Sequence, residues 1–265
     1  MPKRIYSTNT NSLNPNFVTG FIDAEGCFYL AVIKSRLALG WNVSLVFSIH
    51  LHSKDLDSLY LIQRFFGFGN VTVHGDSAQF QVKKLSDIAC ILQHFDNYPL
   101  KTKKHADFLL FKKAFNIIAN KQHCTEAGLH KLISIRASLN KGLPERLQVA
   151  FPNVAPELRP EVAKANWDFN NFGDKSWMAG FVSGEGSFYV QTSKSKTHKL
   201  GLRRGVTLNF HIGQNLRDAY LLESFVQFFG CGSFYIREKS DMGIFTVKKF
   251  EEIFNILIPD RKSVV

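Results

Sequence analysis

The stretch GFIDAEGCFYL at residues 20–30 recurs as GFVSGEGSFYV at residues 180–190, an offset of 160 positions. Further along, IQRFFGFG at 62–69 corresponds to FVQFFGCG at 225–232, an offset of 163. So small a drift is expected when loops change length and structured elements do not. Ordered self-similarity of this kind indicates that one structural unit is present twice in the chain.

The two motif segments predict short helices, over residues 16–24 and 176–184, with Asn16 and Ser176 as candidate N-caps. Small residues lie four apart in each segment, at Gly20 and Ala24 and again at Gly180 and Gly184. Four residues make about one helical turn, so these residues share a face. That face predicts a close approach of two helix backbones.

Alternating apolar and polar residues follow each motif and predict strands at 70–74 and 79–83, and at 206–212 and 233–237. One face of these strands is apolar and suits packing against helices. The other face carries uncharged hydrogen-bonding side chains with a few cations and almost no carboxylates. A second helix is predicted in each copy, over residues 56–66 and 220–229, closed by Gly67 or Gly230.

The composition favours a globular, basic protein. Lys and Arg number 33 against 22 Asp and Glu in 265 residues, a formal net charge of +11, and 45% of residues are hydrophobic. The excess of positive charge favours a polyanionic partner. The apolar runs are too short to predict a membrane-spanning helix. The four cysteines are scattered, which predicts reduced thiols in an intracellular compartment and neither a disulfide framework nor a zinc site.

The repeat also predicts the domain organisation. We expect a flexible N-terminal tail over residues 1–15, a first half-domain over 16–140, a Pro-marked linker over 141–175 and a second half-domain over 176–265. The first half-domain includes a helical hairpin pattern at 105–138, and the second is short at its C-terminal end by comparison.

Each motif ends in a glutamate followed by glycine, Glu25 in the first copy and Glu185 in the second. Asp23 corresponds to Ser183, so that carboxylate is not needed twice. If the two helix faces pack together, the glutamates lie close and either share a proton or bind cations. Carboxylate oxygens without a His or Cys cluster favour Mg²⁺ or a similar ion. The alternative is two exposed glutamates that merely end helices, although acids are disfavoured there by the helix dipole.

The paired motifs GFIDAEG and GFVSGEG, with FFGFG and FFGCG downstream and the run YPLKTKK at 98–104, resemble those of single-chain LAGLIDADG homing endonucleases. The resemblance runs from residue 16 nearly to the end. It implies an α+β fold in which an αββαββα half-domain occurs twice about a pseudo-two-fold axis. It further implies motif helices at the interface and a saddle of two antiparallel β-sheets that grips DNA.

The same resemblance implies roles for particular residues. Glu25 and Glu185 match the metal-binding acids, and the carbonyl oxygens of Ala24 and Gly184 match backbone ligands. Gln214 lies where family members often keep a polar residue that orients solvent, whereas the first copy has Leu51 there. The basic residue near the scissile phosphate corresponds to either Lys101 or Lys103. The alternative interpretation is that the basic residues of the run 98–104 are simply the solvent-exposed start of a helix.

The activity implied is a sequence-specific DNA endonuclease that cuts both strands across the minor groove and leaves 3′ overhangs. Mg²⁺ or Mn²⁺ is the implied cofactor, with Ca²⁺ supporting binding rather than cleavage. A monomer acting on double-stranded DNA, without membrane association and in mitochondria, is expected. Two alternatives stay open: an RNA-binding intron splicing factor (maturase) on the same fold, and a non-enzymatic DNA-binding β-platform.

Strand length and base-pair rise predict about ten base pairs per half and a site near twenty. Because Lys and Arg at strand ends suit phosphates and polar side chains on the sheet suit base edges, the candidate contacts fall into two sets. The cations are Lys34, Arg36, Lys83, Lys194, Lys196, Arg203, Arg204 and Lys248. The base-facing candidates are Tyr29, Thr72, His74, Gln79, Gln81, Gln191, Ser193, Asn209, His211, Tyr235 and Arg237.

Overall fold

The computed structural model describes residues 13–36, 38–164, 166–168, 170–194, 204–238 and 240–258. These residues form two compact units. The first consists of the described residues up to Val18, with Glu25–Pro99 and Lys104–Val162. The second consists of Thr19–Ala24, Leu100–Lys103 and the described residues from Ala163 onward. Two short pieces of the first sequence copy therefore belong to the second unit. Most of the predicted tail, residues 1–12, lies outside the described residues.

The first copy begins with the αββαββα order that the family resemblance implies. Its helices are α1 (Pro15–Glu25), α2 (Leu56–Phe66), α3 (Leu85–Asn97), α4 (Lys104–Ala119), α5 (Glu126–Ser138) and α6 (Glu145–Ala150). Its strands are β1 (Gly26–Lys34), β2 (Trp41–His52), β3 (Asn70–His74) and β4 (Ser77–Val82).

The second copy repeats this arrangement. Its elements are α7 (Phe172–Glu185), β5 (Gly186–Lys194), β6 (Arg204–Asn215), α8 (Ala219–Phe229), β7 (Ser233–Ile236), β8 (Met242–Val247) and a short α9 (Phe250–Glu252) that continues as a π-helical turn, Ile253–Leu257.

Both sheets are antiparallel and share one topology, β1-β2-β4-β3 in the first unit and β5-β6-β8-β7 in the second. The register is the same too, since Phe28 pairs with Phe47 in one sheet and Phe188 with Phe210 in the other. The predicted α+β class and duplicated strand pattern are confirmed. Gly67 and Gly230 end α2 and α8 with φ of 73° and 64°, the left-handed conformation that glycine adopts without strain.

The two cores are built largely from phenylalanine. In the first, the ring of Phe28 lies 5.3 Å from that of Phe47 and 5.5 Å from that of Phe95. Phe108 and Phe111 of α4 pack over the same ring at 5.9 and 5.3 Å. Each such side chain buried on folding contributes roughly 1.5–3 kcal/mol. The second core centres instead on side chains of α7, α8, β6 and β8, among them Trp177, Phe181, Phe210, Phe225 and Phe245.

The helix-facing side of the second sheet is more open than its counterpart. Phe28 and Leu45 are 1% and 2% exposed in the first sheet, while the equivalent Phe188 and Leu208 are 45% and 37% exposed in the second. The reason is that α4 covers the first sheet, with Phe108 and Phe111 packed on Phe28. No counterpart of α4 is found among the described residues of the second copy.

Helix starts and the linker differ from the sequence prediction. α1 begins at Pro15, so Asn16, the predicted N-cap, lies inside the helix and donates its N–H to Asn14 Oδ1 at 2.8 Å. α7 begins at Phe172, and its N-cap is Asn171, whose Oδ1 accepts a hydrogen bond from Gly173 N at 2.8 Å. Ser176, the predicted cap, is buried inside the helix, so the last residues of the predicted linker are helical. The linker also contains α6. The four cysteines are free thiols. Among the residues described, no helix is both long and apolar enough to cross a membrane.

Leu45 and Leu208 form a matched test of the difference between the sheets. Leu45→Ala removes a fully buried side chain and is expected to lower the free energy of unfolding by about 2–5 kcal/mol. Leu208→Ala removes a partly exposed one and should cost less than about 1 kcal/mol. Guanidinium denaturation of both variants measures the two effects, and equal losses would contradict the burial described for the two faces.

Candidate metal site and nucleic-acid interface

The first motif helix makes a close backbone contact with the second motif helix inside the second unit, to which Thr19–Ala24 belongs. A Cβ placed on Gly20 would lie 1.9 Å from the carbonyl oxygen of Trp177 and 2.9 Å from the backbone nitrogen of Phe181. Real atoms do not approach so closely, so any other residue at this position would push α1 and α7 apart. The predicted close approach is thus confirmed for Gly20.

Glu25 is the last residue of α1, and β1 begins directly after it at Gly26. Its side chain is only half-exposed. Burial raises the pKa of the Glu25 carboxyl, Lys104 partly offsets that rise, and Asp55 adds to it. Because a nearby positive charge favours the ionised form, a bound cation would stabilise this carboxylate.

Glu185 ends α7 in the same way, and β5 begins at Gly186. A Cβ on Gly186 would lie 2.5 Å from the carbonyl oxygen of Val182, which explains why glycine follows the glutamate. Ala24 and Gly184 lie one residue before the two glutamates, in the last turns of their helices. Carbonyl groups in a last turn can accept partners from outside the helix, so both positions suit backbone ligands.

The donor chemistry fits a hard divalent cation. Within the described ranges there is no group of three or more His, Cys, Asp or Glu side chains that could hold a metal ion. The remaining donors are the two glutamate carboxylates and last-turn carbonyl oxygens. Mg²⁺ binds through one or two carboxylates and keeps further positions for water and phosphate oxygens. The predicted proximity of Glu25 and Glu185 stays a prediction.

The structure separates the two candidate lysines, both of which belong to the second unit. The Nζ atom of Lys101 forms an ion pair with the carboxylate of Asp174 and lies 4.4 Å from the centre of the Trp167 ring. Both partners hold the ammonium against the protein, one by charge and one by a cation–π contact. The Nζ atom of Lys103 instead lies 5.7 Å from the centre of the Tyr220 ring.

Gln214 and Leu51 occupy equivalent places, as the repeat predicts. Gln214 pairs with Gly243 across β6 and β8, and Leu51 pairs with Ala78 across β2 and β4. Each lies four residues after the phenylalanine that pairs with the last valine of its neighbouring strand. Both side chains are half-buried. The amide in one copy and the aliphatic group in the other make the two halves chemically unequal.

Most base-facing candidates in the first unit lie on the sheet face opposite the core. In β4, buried residues alternate with the half-exposed Gln79 and Gln81. Gln81 Nε2 donates a hydrogen bond to the hydroxyl of Tyr29 at 3.5 Å. Thr72 pairs with Gln79 across β3 and β4, and the nearby His74 is exposed. These five side chains form one polar surface without a carboxylate.

The second sheet presents a comparable surface. Tyr189 and Tyr235 are 41% and 46% exposed, Gln191 and Arg237 are exposed, and the His211 ring lies 5.3 Å from that of Tyr189. Asn209 differs, because it is 1% exposed and donates from Nδ2 to the carbonyl of Thr207 at 3.2 Å. Contact of Asn209 with a base would require its neighbours to move.

The cationic candidates flank these surfaces. Lys34, Arg36, Lys83 and Lys248 are exposed at or just beyond strand ends. Ser193 and Lys194 lie in β5, paired with Gly205 and Arg204 of β6. Lys196 and Arg203 lie outside the described residues.

The sequence prediction missed several residues that shape this region. Asp23, Asp174 and Tyr220 contact the short segment Leu100–Lys103 through Lys101. Trp177 donates from Nε1 to the carboxylate of Asp23. The sequence signals for them were weak: an acid in the first motif that the second motif lacks, and two tryptophans, Trp167 before α7 and Trp177 within it.

Comparison with known proteins agrees with this architecture. The family model described as LAGLIDADG endonuclease matches residues 18–115 and 178–260. "Probable intron-encoded endonuclease 3" of Neurospora crassa is 38% identical over 97% of this chain, which covers 48% of that protein. "Probable intron-encoded endonuclease 2" of the same organism is 36% identical over 93% of this chain and 55% of its own length. The chain thus spans about half the length of these relatives.

Solved structures give the same result. The homing endonuclease I-SmaMI, bound to an uncleaved DNA target in the presence of calcium ions, has a TM-score of 0.87 and 38% identity, covering 96% of this chain and 85% of its own. I-GzeII in complex with its DNA target has a TM-score of 0.85 and 39% identity, with coverages of 96% and 84%. The chain belongs to the LAGLIDADG endonuclease family.

Gly20 and Gly213 test the helix contact. A Cβ on Gly20 meets backbone at 1.9 Å, whereas a Cβ on Gly213 meets only a methionine methyl group at 3.5 Å. Gly20→Ala is therefore expected to lower the free energy of unfolding by more than about 3 kcal/mol or to prevent folding. Gly213→Ala should change it by less than about 1 kcal/mol. Thermal melts compare them, and an unaffected Gly20→Ala protein would disprove the close contact.

Proposed function

We propose that this chain is a sequence-specific DNA endonuclease that hydrolyses both strands of a long, asymmetric site. The observation that carries the proposal is the duplicated helix end, Glu25-Gly26 and Glu185-Gly186, each leading directly into a sheet with a polar, carboxylate-poor surface. A protein that only bound DNA would have no use for two matched glutamates at the ends where the helix dipole disfavours them.

The reaction requires a deprotonated water, neutralisation of the phosphate charge and stabilisation of the leaving alkoxide. We propose that Glu25 and Glu185, with the carbonyl oxygens of Ala24 and Gly184, hold Mg²⁺ or Mn²⁺, while Ca²⁺ supports binding only. When bound, such ions supply an activated water and charge neutralisation. The presence of calcium in the I-SmaMI complex with uncleaved DNA supports the use of divalent ions in this family.

Two further side chains complete the proposed machinery. Gln214 holds the solvent molecule at one half-site by hydrogen bonding, and Leu51 leaves the other half-site without that contact. Lys103 stabilises the charge that develops on the phosphate. Lys101 is the weaker candidate because its ammonium is already held by Asp174 and Trp167.

Recognition of sequence follows from the two polar sheet surfaces. β2 and β6 are 12 residues long, which at about 3.3 Å per residue and 3.4 Å per base pair allows each sheet to follow roughly 10–12 base pairs. A site of about 20 base pairs results, read by Gln, Tyr, Thr and Arg side chains in the major groove. The 3′ overhangs are carried over from the family resemblance.

The relatives indicate the setting. They include a protein in an ND4 intron of Podospora anserina and the "Probable intron-encoded endonuclease Cox1-I1b" of Schizosaccharomyces pombe. We therefore propose an intron-encoded protein that acts as a monomer on mitochondrial DNA. Binding of intron RNA without cleavage is the outcome that would assign it to splicing instead.

The glutamates are tested by incubating the protein with Mg²⁺ and a randomised DNA library and sequencing the cut ends. The wild-type protein is expected to recover one long asymmetric site. Glu25→Gln combined with Glu185→Gln should abolish cleavage, since the carboxylates are lost while size is kept, and should leave DNA binding in Ca²⁺ within about threefold. Undiminished cleavage by the double variant would remove both glutamates from the machinery.

The lysines are tested by comparing Lys103→Met with Lys101→Met. Lys103→Met should slow cleavage roughly 10²–10³-fold, the usual loss when a transition-state hydrogen-bond donor is removed, with an unchanged melting temperature. Lys101→Met leaves Asp174 without its ion-pair partner and should lower the free energy of unfolding by about 1–3 kcal/mol. The reverse pattern would assign the role to Lys101.

A further inference from the structure

The carboxylate of Asp23 accepts four hydrogen bonds within the second unit and is 3% exposed. Its Oδ2 accepts from the backbone N–H of Lys101 at 2.8 Å and from Trp177 Nε1 at 2.9 Å. Its Oδ1 accepts from the Thr102 hydroxyl at 2.6 Å and from the Thr102 N–H at 3.3 Å. An ionised carboxylate has about four acceptor positions, and here all four are used. Asp23 therefore has no capacity left to bind a metal ion.

The partners of Asp23 belong to the segment Leu100–Lys103, which folds with the second unit although it lies in the first sequence copy. The next backbone N–H, that of Lys103, donates to Oδ1 of Asp218 at 2.7 Å. The carbonyl of Lys101 accepts from the hydroxyl of Tyr220 at 2.8 Å. Three consecutive amides are thus each held by a buried carboxylate, in a stretch that is neither helix nor strand.

The second motif provides no equivalent. Ser183 stands where Asp23 stands in the first motif, and its hydroxyl donates to the carbonyl of Ala179 in its own helix, at 2.8 Å. The motif helix therefore forms without an acid at this position. The function of Asp23 lies outside α1, in the segment that it holds.

We infer that Asp23 is a positioning residue for Lys103. Asp23 fixes the backbone that leads into Lys103 and connects it to Trp177 of α7. The Lys103 side chain therefore projects from a rigid backbone in one fixed direction. The inference rests on the proposed nuclease function, in which Lys103 contacts the reacting phosphate. Misplacement of such a group by about 1 Å can cost a factor of 10² in rate.

A double-mutant cycle on cleavage of the library-derived site tests this role of Asp23. Asp23→Asn keeps the size of the side chain, but an amide N–H₂ group then faces some of the N–H and O–H donors that now bind the carboxylate. Because two donors cannot pair, the segment Leu100–Lys103 should be released. We expect cleavage to slow 10- to 100-fold in the wild-type background and less than threefold in the Lys103→Met background, because the two changes act through one group. Ser183→Ala is the matched control in the second motif and should leave cleavage unchanged.

A structural role alone would lower cleavage by the same factor in both backgrounds, and that result would overturn the inference. Amide hydrogen exchange gives a readout that does not depend on cleavage. In the wild-type protein the N–H groups of Lys101 and Thr102 should exchange at least tenfold more slowly than other amides outside helices and strands. Rapid exchange of these two N–H groups in the wild-type protein would also overturn the inference. This test remains available even if Asp23→Asn and the alternative variant Asp23→Ser fail to fold.

The two proposals fail in different ways. If the wild-type protein cuts no site in the library, the nuclease function is wrong and the role of Lys103 is wrong with it, while slow exchange at Lys101 and Thr102 would still show that Asp23 fixes the segment. If the wild-type protein cuts DNA but the effects of Asp23→Asn and Lys103→Met multiply, the nuclease function stands and the positioning role is wrong.

Discussion

The backbone contact at Gly20 is the constraint on which the second unit depends. An added Cβ would meet the Trp177 carbonyl oxygen at 1.9 Å, so the residue must be glycine for α1 and α7 to pack as they do. Phe21 and Ile22, 6% and 0% exposed, flank this contact. The first motif helix is therefore part of the fold of the second unit and cannot be regarded as an element of the first copy alone.

The positions of the motif glutamates are energetically unfavourable for two reasons. Each lies at the C-terminal end of a helix, where the macrodipole disfavours negative charge, and burial raises the pKa of Glu25 although Lys104 partly offsets the rise. A sequence selected only for stability would place neutral or basic residues at both helix ends. A divalent cation bound by these carboxylates would replace the unfavourable effects of the helix dipole and of burial with an attraction between opposite charges. Glutamates at both helix ends therefore fit a metal-dependent enzyme.

Alternation and glycine caps are local signals, so the ends of α2 and α8 and the polar sheet surfaces could be predicted from the sequence. The order of helices and strands was implied by the family resemblance, and the strand register was not predicted. Contacts between residues far apart in the sequence could not be predicted. The start of α7 was misplaced because Asn171 caps it and Ser176 is buried. Asp23 is 78 residues from Lys101 and 154 from Trp177, so its role could not be seen in the motif. Lys101 and Lys103 look alike in sequence and differ only through Asp174, Trp167 and Tyr220.

The proposed nuclease mechanism requires that the two motif glutamates bind divalent metal. Anomalous diffraction from crystals grown with target DNA and Mn²⁺ tests it most directly, because manganese identifies its ligands without reliance on activity. We predict manganese peaks within bonding distance of carboxylate oxygens of both Glu25 and Glu185 and of phosphate oxygens of the DNA. Glutamate side chains turned into solvent, with manganese bound elsewhere or not at all, would contradict the claim.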